Sequence, residues 1–80
     1  SPKPPATDLI EVTDAITITG DAFNFVEDYV GLEVIARAGT VIAHDGKKAV
    51  TTPYDDCVLI MPSRRLTRGQ TAVRLGRFVG

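Results

Sequence analysis

Apolar side chains recur at alternate positions along most of this chain, and turn residues cut the alternation into short runs. From Leu9 to Thr19 the residues Ile10, Val12, Ile16 and Ile18 share one face, and Glu11, Thr13, Thr17 and Thr19 share the other. That is the pattern of a half-buried strand rich in β-branched residues. Asp14 falls on the apolar face by strict alternation. Either the strand bulges near Thr13-Asp14, which restores the phase, or the carboxylate points into a pocket; the bulge is the simpler resolution. After the turn signal Gly20-Asp21, Ala22 to Val26 resumes the alternation with Phe23 and Phe25. Phe25, Tyr29 and Leu32 also fit helical spacing, but the glycine and β-branched residues around them favour strand and loop. Val34–Ala36 is apolar again. Thr40–Ala43 leads to Asp45-Gly46, a strong hairpin signal because glycine reaches positive φ at little cost. Ala49–Thr52 is the returning strand, closed by Pro53.

The stretch that follows is the most organised in the chain. Val58–Met61 is a continuous apolar run bounded by Asp56 and Pro62, which predicts a strand covered on both faces. Pro62 has no N–H for a sheet ladder and stops it. Ser63–Gln70 is a basic loop with a glycine, and Ala72–Val79 alternates once more. The count is six or seven short strands, with no ten-residue stretch showing a helical stripe. The expected fold is therefore all-β, a small barrel or sandwich of the barrel-sandwich hybrid type. Residues 1–8 are proline-rich and read as a linker or disordered lead-in, and residues 9–80 as a single β-domain.

Composition narrows the function classes. Eighty residues with 44% hydrophobic and 24% charged side chains suit one small globular domain. No apolar run nears the roughly 20 residues that span a bilayer, and no signal peptide is visible, so no membrane partner is expected. The lone Cys57 has no disulfide partner within the chain, which favours a reducing compartment, the cytoplasm. The chain starts Ser1-Pro-Lys-Pro-Pro5 without an initiator methionine, so a longer parent protein is expected. Charge is uneven: eight acidic and two basic side chains lie through Gly46, seven basic and two acidic after it. The two halves either neutralise each other in the fold or form a positive patch for an anionic ligand. With a net charge of −1 and no basic-plus-aromatic module, a nucleic-acid partner is not expected.

Candidate chemistry is sparse. Zinc needs three or four converging His, Cys or carboxylate ligands, and one His and one Cys without metal-binding spacing do not supply them. Cys57 reads as a core residue and His44 as a turn residue. Gly39, Gly46 and Gly69 read as turn glycines, and Asp55-Asp56 as turn or cap residues. Asp45-Gly46-Lys47-Lys48 resembles the lysine-bearing hairpin of small carrier domains only superficially, since the Met-Lys-Met and Asp-Lys-Ala patterns are missing. Arg64, Arg65 and Arg68, with Ser63 and Thr67, form the one local cluster suited to ligand chemistry, because guanidinium groups bind carboxylates bidentately and stay charged. The alternative for that loop is a solvated surface balancing the acidic half.

The order of these elements resembles a known family. Thr40-Val-Ile-Ala43, the Asp45-Gly46 turn, Val50-Thr-Thr-Pro-Tyr54, Asp56-Cys-Val-Leu-Ile-Met-Pro62, the Arg68-Gly69-Gln70 step and the early Phe23-Asn-Phe25 follow one another as in the C-terminal domain of the succinylglutamate desuccinylase/aspartoacylase family. The resemblance covers nearly all of residues 8–79. It implies a zinc-dependent deacylase of N-acyl amino acids, whose zinc and catalytic glutamate sit in an N-terminal domain that these 80 residues do not contain. The chain would then be the accessory domain that covers the active-site mouth, inactive alone, with the N-terminal catalytic domain as its partner. The resemblance also implies an anionic substrate in a channel, toward which Arg64, Arg65 and Arg68 could face. The competing expectations are a stand-alone binding or carrier module and an oligomerisation domain that pairs through a strand edge.

Overall fold

The computed structural model describes residues 9–79 and consists of seven strands. They are β1 (Leu9–Thr17), β2 (Phe23–Phe25), β3 (Val34–Ile35), β4 (Val41–Asp45), β5 (Lys48–Thr51), β6 (Cys57–Ile60) and β7 (Thr71–Val79). The proline-rich lead-in expected at residues 1–8 lies outside the described residues. All pairings are antiparallel, in a four-stranded sheet of order β1-β7-β6-β3 and a three-stranded sheet of order β2-β4-β5. The fold is thus the all-β one expected, a sandwich and not a closed barrel. A hollow of about 330 Å³ marks the open side, where the edge strands β1 and β5 face each other across Ile16, Thr17, Lys48 and Val50.

The core forms where the inner faces of the two sheets meet. Ile18, Phe23, Ile42, Ala43, Cys57, Leu59, Ala72, Val73 and Leu75 make one buried cluster, with Ile16, Phe25, Tyr29, Ile35, Val50, Tyr54 and Leu66 packed around it. Each fully buried Ile, Leu or Val contributes roughly 1.5–3 kcal/mol through the apolar area it removes from water. The β4–β5 hairpin turns at Gly46 with φ 64°. Its Asp45 carboxylate accepts the Thr19 N–H and hydroxyl, both at 2.8 Å, and the Gly20 N–H at 3.0 Å. That clamp fastens one sheet to the chain leaving the other. Thr52, the buried polar residue of the core, donates its hydroxyl to the Arg37 carbonyl and accepts the Thr40 N–H, so burial strands no polar atom.

Two departures from strict alternation decide which side chains reach the surface. In β1 the pairing jumps from Val12↔Gly76 to Asp14↔Leu75, leaving Thr13 as the extra residue of a bulge. The bulge expected near Thr13-Asp14 is there, but the single apolar face expected for this strand is split by it. Ile16 packs on the core, while Val12 is 53% exposed on the opposite face with Ile10. Asp14 is exposed and enters no pocket; it accepts the Thr13 hydroxyl at 2.6 Å. In β6 the apolar run expected to be covered on both faces, Val58–Met61, is so only at its start: Ile60 is half-buried and Met61 is exposed. Cys57 and Leu59 face the core, and Val58 is equally buried on the outer face.

The outer face of the four-stranded sheet is consequently a second apolar layer. The row Val34↔Val58↔Gly76↔Val12 crosses all four strands, flanked by Ile60, Ile10 and Phe78. Val34, Val12 and Phe78 in that layer remain exposed. Nearby, Leu32 and Glu33 together face Leu59: the Leu32 N–H donates to the Leu59 carbonyl, and the Leu59 N–H to the Glu33 carbonyl. Two residues opposite one is the arrangement of a bulge, and in the variety whose first residue is left-handed that residue is ordinarily glycine. Leu32 occupies it at φ 68°, and Met61 on the neighbouring segment has φ 51°. Their side chains are 58% and 75% exposed.

Candidate functional site: a groove beside the arginine loop

A groove of about 480 Å³ lies between two segments that leave the sandwich at the same end. One wall is Phe25–Tyr29, following β2. The other is Pro62–Leu66, following β6, at the start of the loop singled out for its arginines. Both walls are anchored to the sheets by the backbone. The Val26 N–H donates to the Ile42 carbonyl at 3.0 Å, and the Ser63 N–H to the Ala72 carbonyl at 2.7 Å. Pro62 ends β6 because it has no N–H to continue the ladder. Ser63 then closes a tight local turn, its hydroxyl accepting the Arg65 N–H at 3.0 Å and donating to the Arg65 carbonyl at 3.1 Å.

The groove is apolar at its base and charged at its lips. Phe25, Tyr29 and Leu66 are packed against the core, with Phe25 and Tyr29 in edge-to-face contact at 5.8 Å. Glu27 and Asp28 are exposed on one wall, Arg64 on the other. Neither carboxylate is paired with Arg64: the two ion pairs among the described residues are Arg68–Asp21 at 2.8 Å and Arg77–Glu11 at 3.3 Å. Burial raises the Tyr29 hydroxyl pKa above its ordinary value, with the charges of Glu27 and Glu33 adding to the effect. Glu33 is held below the usual carboxylate range because it accepts the Val30 N–H at 2.7 Å, and the Gly31 N–H likewise.

The three arginines of the loop part company in three dimensions. Arg64 lines the groove. Arg65 follows it, tied by its backbone to Ser63. Arg68 turns away to make a bidentate contact with Asp21 through its Nε and Nη2 atoms at 3.2 and 2.8 Å. Both ion pairs join the acidic part of the chain to the basic part, so the two halves do neutralise each other in part.

The remaining candidates have structural places. Cys57 is buried in the core, where burial pushes its thiol pKa up, with the Asp14 charge adding to it. His44 is exposed on β4 between Asn24 and Ala49. Asp55 accepts the Ala38 N–H at 2.8 Å, and Asp56 holds a turn at φ 55°. Among the described residues no three His, Cys, Asp or Glu side chains gather in a way that could hold a metal ion, so they do not fit a zinc site. No helix among them is long and apolar enough to cross a membrane.

Glu27 and Asp28 are the groove residues that the sequence pattern did not mark. Nothing local announces that the chain after β2 comes to lie beside the chain after β6. Comparison with protein-family models, curated proteins and solved structures finds no match to this chain.

Proposed function

We propose that the chain is a non-catalytic accessory domain of a zinc-dependent hydrolase that deacylates N-acyl amino acids or related amides. The order of motifs from Phe23 to Gln70 supports the hydrolase class through its resemblance to the succinylglutamate desuccinylase/aspartoacylase family. The observation that carries the accessory role is the apolar outer face of the four-stranded sheet. Strands of 9, 9, 4 and 2 residues, at about 3.3 Å per residue and about 4.8 Å apart, give the whole face, the exposed Arg74 included, at most roughly 400 Å². Two independent proteins need about 800 Å² from each partner for a stable complex. Contacts between tethered domains hold with about 600–1,500 Å² in total. The size of the face therefore favours a catalytic domain on the same polypeptide over a second copy of this chain. In this reading Arg64 borders the substrate channel, with Arg65 beside it, and draws in carboxylate substrates, while Arg68 fixes the loop through Asp21.

The test is the gene together with the enzyme it encodes. An upstream catalytic domain carrying His-x-x-Glu and a later His is expected. In that full-length enzyme Arg64→Ala should raise KM for N-acyl amino acids with little change in kcat, and Val12→Asp should loosen the domain contact. A reading frame without a catalytic domain, or unchanged kinetics in Arg64→Ala, would overturn the proposal.

A further inference from the structure

We infer that the groove between Phe25–Tyr29 and Pro62–Leu66 binds a zwitterion, a free amino acid with an apolar side chain. The inference deepens the proposed function, on which its place in a reaction rests, because hydrolysis of an N-acyl amino acid releases a free amino acid. The geometry of the groove argues it independently. Its volume of about 480 Å³ lies within the roughly 300–1,000 Å³ typical of small-molecule sites. Its base of Phe25, Tyr29 and Leu66 is held against the core, so an aliphatic group finds a preformed surface there. Among the described residues the two lips carry opposite charges that form no ion pair with each other or with a neighbour, whereas Arg68 and Arg77 are both paired. An anion alone would satisfy Arg64 and meet repulsion from Glu27 and Asp28. A cation alone would leave Arg64 unmatched. A ligand that carries both a carboxylate and an ammonium group, with an apolar tail, matches the charges of both lips and the apolar base.

The groove walls are also in place before any ligand arrives. Val26 is bonded to Ile42, Ser63 to Ala72, and the Ser63–Arg65 turn is closed on itself. Binding would thus order little beyond the Arg64, Glu27 and Asp28 side chains, which keeps its entropic cost low.

The test is a titration of this chain, followed by amide chemical shifts, with L-leucine, L-leucinamide (no carboxylate) and N-acetyl-L-leucine (no ammonium). L-Leucine should bind with a Kd in about the millimolar range, shifting amides of residues 25–29 and 62–66, and each blocked analogue should bind at least tenfold more weakly. Arg64→Ala should weaken L-leucine and leave leucinamide unchanged. The Glu27→Gln/Asp28→Asn double variant should weaken L-leucine and leucinamide and strengthen N-acetyl-L-leucine, whose carboxylate no longer meets repulsion. Shifts far from the groove report that each variant is folded. If N-acetyl-L-leucine binds as tightly as L-leucine and depends on Arg64, the zwitterion is wrong while the anionic channel survives. If none of the three ligands shifts the groove amides, the groove is not a binding site and both ideas about it fall.

Discussion

The Tyr54 hydroxyl lies 2.5 Å from the Thr13 hydroxyl, at the extra residue that turns β1 over. The Thr13 hydroxyl also faces the Asp14 carboxylate at 2.6 Å and the Leu75 carbonyl at 3.3 Å, both acceptors for its hydrogen. The ring of Tyr54 also carries the Arg77 guanidinium 4.8 Å from its centre. Tyr54→Phe keeps the ring and removes only the hydroxyl. It should cost about 1 kcal/mol, or roughly 4–8 °C in Tm for a domain of this size. Thermal unfolding checks it, and an unchanged Tm would mean that the bulge is held by the β1–β7 ladder alone.

The strands of this fold were legible because each is announced by local pattern. Ile and Val at alternate positions, the Asp45-Gly46 hairpin and the stop at Pro62 all act over a few residues. The burial of β6 on both faces was legible in the run Val58–Met61, except at its end, where Met61 emerges into solvent. What alternation could not show was the side on which Ile10 and Val12 emerge, since one extra residue at Thr13 reverses it and the effect is felt only against Gly76 and Leu75 of β7. The groove was half legible: the arginine loop was conspicuous. Its facing wall depends on contacts between segments some 35 residues apart, formed when Phe25, Tyr29 and Leu66 reach the same core.

Gly76 sits where β1 and β6 both press on β7, and no side chain fits there. A Cβ at this position would collide with the Glu11 carbonyl oxygen and lie 2.8 Å from Ile60 Cδ1 and 3.1 Å from Ile10 Cγ2. The isoleucine ends can shift, but the Glu11 oxygen is backbone held in the β1–β7 ladder. Gly76→Ala should therefore destabilise the domain by about 1–3 kcal/mol through overpacking. Urea unfolding measures this directly; a midpoint equal to that of the parent would show that β1 moves away freely.

Acid should weaken the clamp between the sheets. The Thr19 N–H, then the Thr19 hydroxyl and the Gly20 N–H, with the Lys48 charge, hold the Asp45 pKa below its ordinary value; Glu33 is lowered chiefly by the Val30 N–H. A carboxyl group with a depressed folded-state pKa binds protons more readily in the unfolded chain. Its contribution is thus present above the ordinary carboxylate pKa of about 4 and is lost as pH falls below it. Unfolding free energies measured from neutral to acidic pH should decline over that range, and Asp45→Asn should decline less steeply. Parallel pH profiles for the two proteins would show that Asp45 does not contribute to the acid response.

Leu32 holds an apolar side chain in water at a backbone position that disfavours it. The left-handed conformation costs an L-residue roughly 1–2 kcal/mol, and at φ 68° with 58% exposure Leu32 recovers little of that by burial. Leu32→Gly removes the strain and adds back about 0.5–1 kcal/mol of unfolded-chain entropy. Its stability should therefore match or exceed that of the parent by up to about 1 kcal/mol. Leu59→Ala, at the fully buried residue facing it, should instead cost about 2–5 kcal/mol. Denaturant unfolding of the two variants side by side makes the comparison. A loss above about 2 kcal/mol in Leu32→Gly would assign that side chain to packing within this domain. If the proposed accessory role holds, the same variant should also weaken docking of the proposed catalytic domain.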